Sequence, residues 1–425
     1  VIDFPNALER ASAHAPFLRV ALEQQPEVAA LLAQGRVPDQ QPFDAELPVG
    51  VALRRARRRE SLIVAIADLA GALDLNGVTH RLTGFADHAL DAAIRAAILE
   101  RTPDAEPLGF AAIALGKQGS CELNYSSDID PILIFDPATL PHRPREEPQE
   151  AAVRIGRRVV ELLQARDAEG YVLRVDLRLR PSPEATPIAL PVYAAISYYE
   201  SQALPWERAA FIRARAAAGD IALGQRFLDA IRPFVWRRAV DFGAVGEIRE
   251  ITRRIRDHHA QGQAFGPGYD LKRGRGGIRE IEFFAQIQQL IHGGRDPSLR
   301  APATMDALDR LAAAERIGAD EAETLKAAYV AFRTTEHRLQ MVDDRQTHAL
   351  PRAQEALDNV GQLAGFGTGA SLILMLRPHV TEVGRIYDSL DPPDAAALSS
   401  DGGSLAGQLE ALGFADQATA TQVVE

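Results

Sequence analysis

The chain has 425 residues, of which 46% are hydrophobic and 25% charged, and a formal net charge of −11. That length predicts two or three domains, and the composition is that of an ordinary globular protein, rich in helix-forming alanine, leucine and arginine. The acidic balance argues against a general nucleic-acid binder. The single cysteine, Cys121, excludes intramolecular disulfides and fits a reducing cytoplasm, and no apolar run approaches the ~20 residues that span a bilayer.

The N-terminus lacks the basic-then-apolar pattern of a signal peptide, and without an initiator Met the sequence reads as a piece of a longer chain. Apolar residues at helical spacing predict helices within Asn6 to Gly35, with Pro26 marking a new start. Residues Val37 to Pro48 are dotted with proline and read as a linker. A helix with a basic entry follows, Leu53-Arg-Arg-Ala-Arg-Arg-Arg-Glu60, whose arginines read as a solvated face or else an interaction surface. Two further helical stretches, Val78 to Leu90 and Ala92 to Arg101, complete a helical N-terminal region over 1–100.

The most informative stretch is Phe110-Ala-Ala-Ile-Ala-Leu-Gly-Lys-Gln-Gly-Ser-Cys-Glu-Leu-Asn-Tyr-Ser-Ser-Asp-Ile-Asp130, running on into Pro131-Ile-Leu-Ile-Phe135. Phe110 to Leu115 reads as a buried strand, followed by a glycine- and serine-bearing turn and a second strand. On a strand Asp128 and Asp130 share one face while Ile129 points into the core. Paired carboxylates repel each other unless a hard cation lies between them, and turn N–H groups suit phosphate oxygens. The pattern predicts a Mg²⁺ and nucleotide-phosphate site; a surface turn with two solvated aspartates is the plain alternative. Cys121 has no matched base nearby and reads as a small filler residue.

The polar loop Asp136 to Gln149 reads as a mobile surface loop or a lid, and Ala151 to Gln164 as a helix. In Leu173-Arg-Val-Asp-Leu-Arg-Leu-Arg180 the alternation is complete, which predicts a half-buried strand. Beside the first strands it would bring Asp176 to Asp128 and Asp130, with Arg178 and Arg180 placed to take phosphate oxygens. The alternative is an exposed, self-neutralising face. In Trp206 to Arg215 the residues Glu207, Arg208, Phe211 and Arg215 predict one helical face, read as support behind the site rather than its wall. These elements form a core over 101–220.

From 221 to 392 the chain reads as a helical domain, including a charged helix from Glu247 to Ala260 whose adjacent His258 and His259 cannot share a face for metal binding. The glycine-rich basic loop Phe265 to Gly277 enters a helix and reads equally as an anion site or a tight turn. Residues 393–425 read as a linker and the start of another helical segment.

Four segments together resemble one family: Gly116-Lys-Gln-Gly-Ser-Cys-Glu-Leu-Asn-Tyr-Ser-Ser-Asp-Ile-Asp130, Arg174-Val-Asp-Leu-Arg-Leu-Arg-Pro181, Trp206-Glu-Arg208 with Ala214-Arg215, and Gly276-Gly-Ile-Arg-Glu-Ile-Glu-Phe283. The chain resembles the glutamine synthetase adenylyltransferase/adenylyl-removing enzymes of the polymerase-β-like nucleotidyltransferase superfamily. The resemblance implies an α+β, predominantly helical fold: a nucleotidyltransferase core, a helical N-terminal region and a C-terminal helical-bundle domain. Family members carry two such units, one removing AMP from a tyrosine of glutamine synthetase by phosphorolysis, the other adding it from ATP. Ser126-Ser-Asp-Ile-Asp130, Arg232-Pro-Phe-Val-Trp-Arg-Arg238 and Gly277-Ile-Arg-Glu-Ile-Glu282 fit the removing half better, and no second Gly-Ser…Asp-x-Asp follows.

The resemblance implies Asp128, Asp130 and Asp176 as catalytic Mg²⁺ ligands and Gly119 and Ser120 as the phosphate-contacting turn. Arg178 and Arg180 are phosphate candidates from the residue pattern alone. The implied function is AMP removal in the control of nitrogen assimilation, with phosphate consumed and ADP released. AMP addition from ATP and a silent regulatory module are the alternatives. The implied partners are glutamine synthetase and the PII signalling protein, uridylylated for removal, with no nucleic acid and no membrane. Two departures stand out: the turn-to-Asp spacing is shorter than in the wider superfamily, and Pro131 follows Asp130 where an apolar strand residue is more usual, which predicts a strand edge or a local irregularity there.

Overall fold

The computed structural model describes residues 2–237 and 264–390. The charged helix with His258 and His259, and the linker and helical segment over 393–425, lie outside the described residues. Within them the protein is α+β and mainly helical, around one small mixed sheet.

Strand β1 (Phe110–Leu115) is wholly buried and pairs antiparallel with β2 (Asp128–Phe135), with Leu115 opposite Asp130. On the other edge of β2 lie two short parallel partners, β3 (Arg174–Val175) beside Asp128 and Ile129, and β4 (Ala189–Pro191) beside residues 133–135. Pro131 falls where that edge changes partner, so its missing N–H interrupts no continuous ladder. Strand β5 (Arg215–Gly219) pairs antiparallel with the free edge of β1. Its alanines are helix formers, and helical spacing predicts that the preceding helix runs on to Arg215; that helix in fact spans only Pro205–Phe211. Pairing along β1 overrides the local propensity.

Both faces of the sheet are covered. Ile129, Leu133 and Phe135 pack with Phe110 and Ala112 against the helices Leu75–Leu99 and Pro148–Gln164. The former is one continuous helix where sequence predicts two; Asp91 sits inside it and accepts the Gly219 N–H at 2.9 Å. Ile132 and Ile134 pack on the opposite face with Tyr199, Phe211 and Phe227. The helix Ile221–Val235 therefore belongs to the sheet's packing, although its sequence position reads with the helical domain. Asp128 and Asp130 share the face of Ile132 and Ile134 but lie beyond the helices that cover it.

The helices Phe4–His14, Pro16–Gln24 and Pro26–Ala33 pack on Val49–Leu69. Helices Ile278–His292, Thr304–Ala313, Ala319–Asp343, Gln354–Leu363 and Gly369–Asp388 form a separate apolar core. The arginine cluster is solvated only in part: Arg55 is exposed, but Arg54 and Arg57 are buried and pair with Asp167 at 2.5 Å and Asp344 at 3.0 Å. The loop after β2 is pinned by buried Leu140 and by Glu146, which Arg101 and Arg154 hold. No described helix is long and apolar enough to cross a membrane.

Candidate active site

Where the covering helices stop, the sheet opens on a cleft of about 1200 Å³ whose wall carries Asp128, Asp130 and Asp176. The pleat places the first two. Asp176 follows from the parallel register of β3, which sets Arg174 beside Asp128 and Val175 beside Ile129, and its N–H donates to the Ile129 carbonyl at 2.8 Å. Sequence predicts β3 out to Arg180; it ends at Val175. The Asp176 carboxylate accepts the Arg178 N–H at 2.9 Å, a turn that competes with strand continuation.

The three carboxylates differ electrostatically. Asp128 accepts from Arg174 at 2.5 Å and from Gln346 at 3.0 Å. Asp176 is held below the usual carboxylate range by hydrogen bonds from Arg178, whose Nε lies 2.7 Å away. Asp130 has no protein donor among the described residues. Burial, and then the charges of Asp176 and Asp128, push it up to about 7. Among the described residues no three acidic, histidine or cysteine side chains close on a metal position as they stand; Arg174 and Arg178 hold Asp128 and Asp176. The donor set nevertheless fits a hard divalent cation: three carboxylates, no soft ligand, and one carboxylate, Asp130, that no protein donor holds and on which burial and its two acidic neighbours outweigh the charges of Lys272 and Arg178.

The turn between β1 and β2 opens with the short helix Gly116–Gly119. Gly116 and Lys117, rather than Gly119 and Ser120, line the cleft. Gly116 has φ +54°, and a Cβ there would come within 2.8 Å of the Asp130 carboxylate. A Cβ on Gly119 would stand 1.9 Å from the Arg213 carbonyl oxygen, so Gly119 serves the packing of the turn. The Ser120 hydroxyl is buried and donates to the Gly116 carbonyl at 3.2 Å. Burial lowers Lys117 to about 8, against the pull of Glu336, whose carboxylate lies 3.3 Å from its Nζ. Cys121 is half-buried and burial raises its thiol, in keeping with a filler role.

Arg178 lines the cleft; Arg180 does not, and its guanidinium donates to the carbonyls of Leu177 and Pro183 at 2.8 and 2.6 Å. The helix Pro205–Phe211 contributes both support and wall. Glu207 is buried and accepts from the Leu204 N–H at 2.7 Å, while Trp206, Ala209 and Ala210 face the cleft. Opposite the carboxylates stand Lys272 and Arg273 of the glycine-rich loop, then Arg279, with Gln346 and His348 nearby. The loop's composition signalled Lys272 and Arg273; Arg279 lies in the helix that follows. Nothing in the sequence around Gln346 or His348 singles either out, since they arrive through the packing of the helix Ala319–Asp343.

Residues 8–230 match the model of the glutamate-ammonia ligase adenylyltransferase family, and residues 248–390 match that of the GlnD PII-uridylyltransferase family. Among curated proteins, the chain is 43% identical over 402 residues to a bifunctional glutamine synthetase adenylyltransferase/adenylyl-removing enzyme of Xanthobacter autotrophicus, covering 89% of this chain and 40% of that protein. It is 45% identical to the like-named protein of Caulobacter vibrioides, over 83% of this chain and 37% of the relative. With that of Mesorhizobium japonicum the identity is 39%, over 92% and 41%. The chain thus spans about two fifths of the length of the curated relatives it matches. With more than half of its residues matched by one family model, the chain belongs to the glutamate-ammonia ligase adenylyltransferase family.

Proposed function

We propose that this chain is an adenylyl-removing nucleotidyltransferase unit, which takes AMP off a tyrosine of glutamine synthetase by phosphorolysis and releases ADP. The observation that carries the reading is the convergence of Asp128, Asp130 and Asp176 at the open end of the sheet, with Asp130 left without a protein donor. In-line phosphoryl transfer asks for alignment and charge neutralisation more than covalent help. Asp128, Asp130 and Asp176 would hold Mg²⁺, which when bound supplies charge neutralisation at the phosphoryl oxygens. Arg174 and Arg178 would give up Asp128 and Asp176, and Arg178, on a largely exposed side chain, is free to swing toward a phosphate oxygen. Trp206, 43% exposed at the cleft, offers a ring for stacking on adenine. Removal rather than addition rests on the closer fit of Ser126 to Asp130 and Gly277 to Glu282 to the removing half. The match of residues 248–390 to a PII-uridylyltransferase family supports control by the PII protein.

The test is the intact mass of adenylylated glutamine synthetase incubated with the chain, Mg²⁺ and phosphate. Loss of the AMP adduct with release of ADP is expected, falling on the order of 10²–10³-fold in Asp128→Asn. Adduct loss at an undiminished rate in the variant would remove the carboxylates from the chemistry.

A further inference from the structure

The cations of the cleft fall into two groups. Lys117, Arg178 and Arg213 are each answered by a carboxylate: Glu336 at 3.3 Å, Asp176, and Glu282 at 3.1 Å. Lys272 and Arg273 line the same cleft from the glycine-rich loop, and among the described residues neither forms an ion pair with a carboxylate, the Lys272 charge acting on Asp130 and Glu282 only from a distance. Two cations on adjacent residues without ion-pair partners repel each other, and an anion held by both would relieve that repulsion.

The backbone that carries them is firmly held. The Asp270 carboxylate accepts the N–H groups of both Lys272 and Arg273, at 2.9 and 2.8 Å. Leu271 N–H donates to the His348 carbonyl at 2.8 Å, and Ile278 N–H to the Leu271 carbonyl at 2.8 Å. Gly276, at φ +78°, lies so close to the neighbouring helix that a Cβ would stand 2.0 Å from the Val380 carbonyl oxygen. The glycines thus press the loop onto the helical core, fixing where the two basic side chains start. Arg279 follows one turn later over the Phe283 ring at 5.7 Å and lines the cleft beside them.

We propose that Lys272 and Arg273, with Arg279, form a subsite for a free phosphate ion, the one that attacks the α-phosphorus. This rests on the removal reading above. The AMP-bearing substrate brings its own phosphate to the carboxylate wall; a second, doubly charged phosphate cannot be placed beside three aspartates without cations of its own. It finds them on Lys272, Arg273 and Arg279, which line the same cleft. An oxygen of hydrogen phosphate bonds to the α-phosphorus and the bond to the tyrosyl oxygen breaks. The electron pair goes to that oxygen, which takes up the proton of the hydrogen phosphate, leaving ADP and a free tyrosine.

The experiment is a titration of the chain with inorganic phosphate in the presence of Mg²⁺, followed by phosphorus NMR line broadening, beside the phosphate dependence of ADP release. Lys272→Met and Arg273→Gln, at half-exposed and exposed positions, are each expected to weaken phosphate binding and raise the KM for phosphate roughly tenfold, with the rate at saturating phosphate changed far less. Unchanged phosphate binding and KM in both variants would overturn the proposal, as would loss of ATP binding with phosphate binding intact, which would assign the cations to a triphosphate tail. Weakened phosphate binding in a chain that forms no ADP would leave the subsite standing and remove the phosphorolysis reading instead.

Discussion

Gly119 has room for a hydrogen and nothing more. Family resemblance places it in a phosphate-contacting turn, yet the space where its Cβ would stand is taken by the carbonyl oxygens of Arg213, at 1.9 Å, and Ala114, at 2.7 Å. Both obstacles are backbone, one of them in β1, so neither can yield without moving the sheet edge. Gly119→Ala is therefore expected to cost about 2–4 kcal/mol in urea unfolding. Gly170→Ala is the control: φ is +89° but nothing lies within 4 Å, so only backbone strain of about 1–2 kcal/mol is expected. Equal costs would mean that the turn does not pack as described. Asp130 makes the complementary point. Its identity as a candidate was legible from spacing alone, but its displaced protonation was not, because that depends on burial and on Asp176, brought in from elsewhere in the chain.

Among the elements, what could be read from sequence tracks how local the cause is. Phe110 to Leu115 is apolar throughout and buried throughout, so its strand was legible residue for residue. The eight-residue alternation from Leu173 was right about which strand Asp176 would approach and wrong about length, because a side-chain turn at Asp176 ends β3. Strand β5 was missed since Arg215-Ala-Ala-Ala-Gly219 carries no strand signal apart from its partner β1. Long-range ion pairs were equally hidden. Asp68, at the end of helix Val49–Leu69, meets Arg338 of helix Ala319–Asp343 at 2.7 Å and the Tyr125 hydroxyl at 3.1 Å. Burial alone would raise its pKa, but Arg338 and a hydrogen bond from His337 outweigh it and hold it well below the usual range. A depressed folded-state pKa means stability that is present above the unfolded value, near 3.9, and is lost as pH falls below it toward the folded value. Urea midpoints should therefore drop from about pH 4 downward, and drop less steeply in Asp68→Asn, whose stability at pH 7 should be lower by about 3–5 kcal/mol. Parallel pH profiles for the two proteins would contradict this.

At the scale of the whole molecule, the sheet and the helical bundle are joined by buried polar contacts around the motif that leads to Asp128. Arg333, fully buried, donates to the Glu122 carbonyl at 2.6 Å and to Asn124, and Glu122 accepts from Tyr329 at 3.0 Å and from the Thr304 N–H at 2.9 Å. The cleft is thus lined from two sides, by the three aspartates with Lys117 and Arg178 on the sheet, and by Lys272, Arg273 and Arg279 with Glu282 on the bundle. Sequence periodicity could supply each wall but not their opposition, which arises only when the helix Ala319–Asp343 docks behind the turn. The central claim, that these walls bring an AMP–tyrosine bond and a phosphate ion together, is tested most directly by isotope. Adenylylated glutamine synthetase, the chain and Mg²⁺ are incubated with radiolabelled inorganic phosphate, and the nucleotide product is separated. The account predicts ADP with the label confined to its β-phosphate. Unlabelled AMP as the product, or no nucleotide released at all, would contradict it.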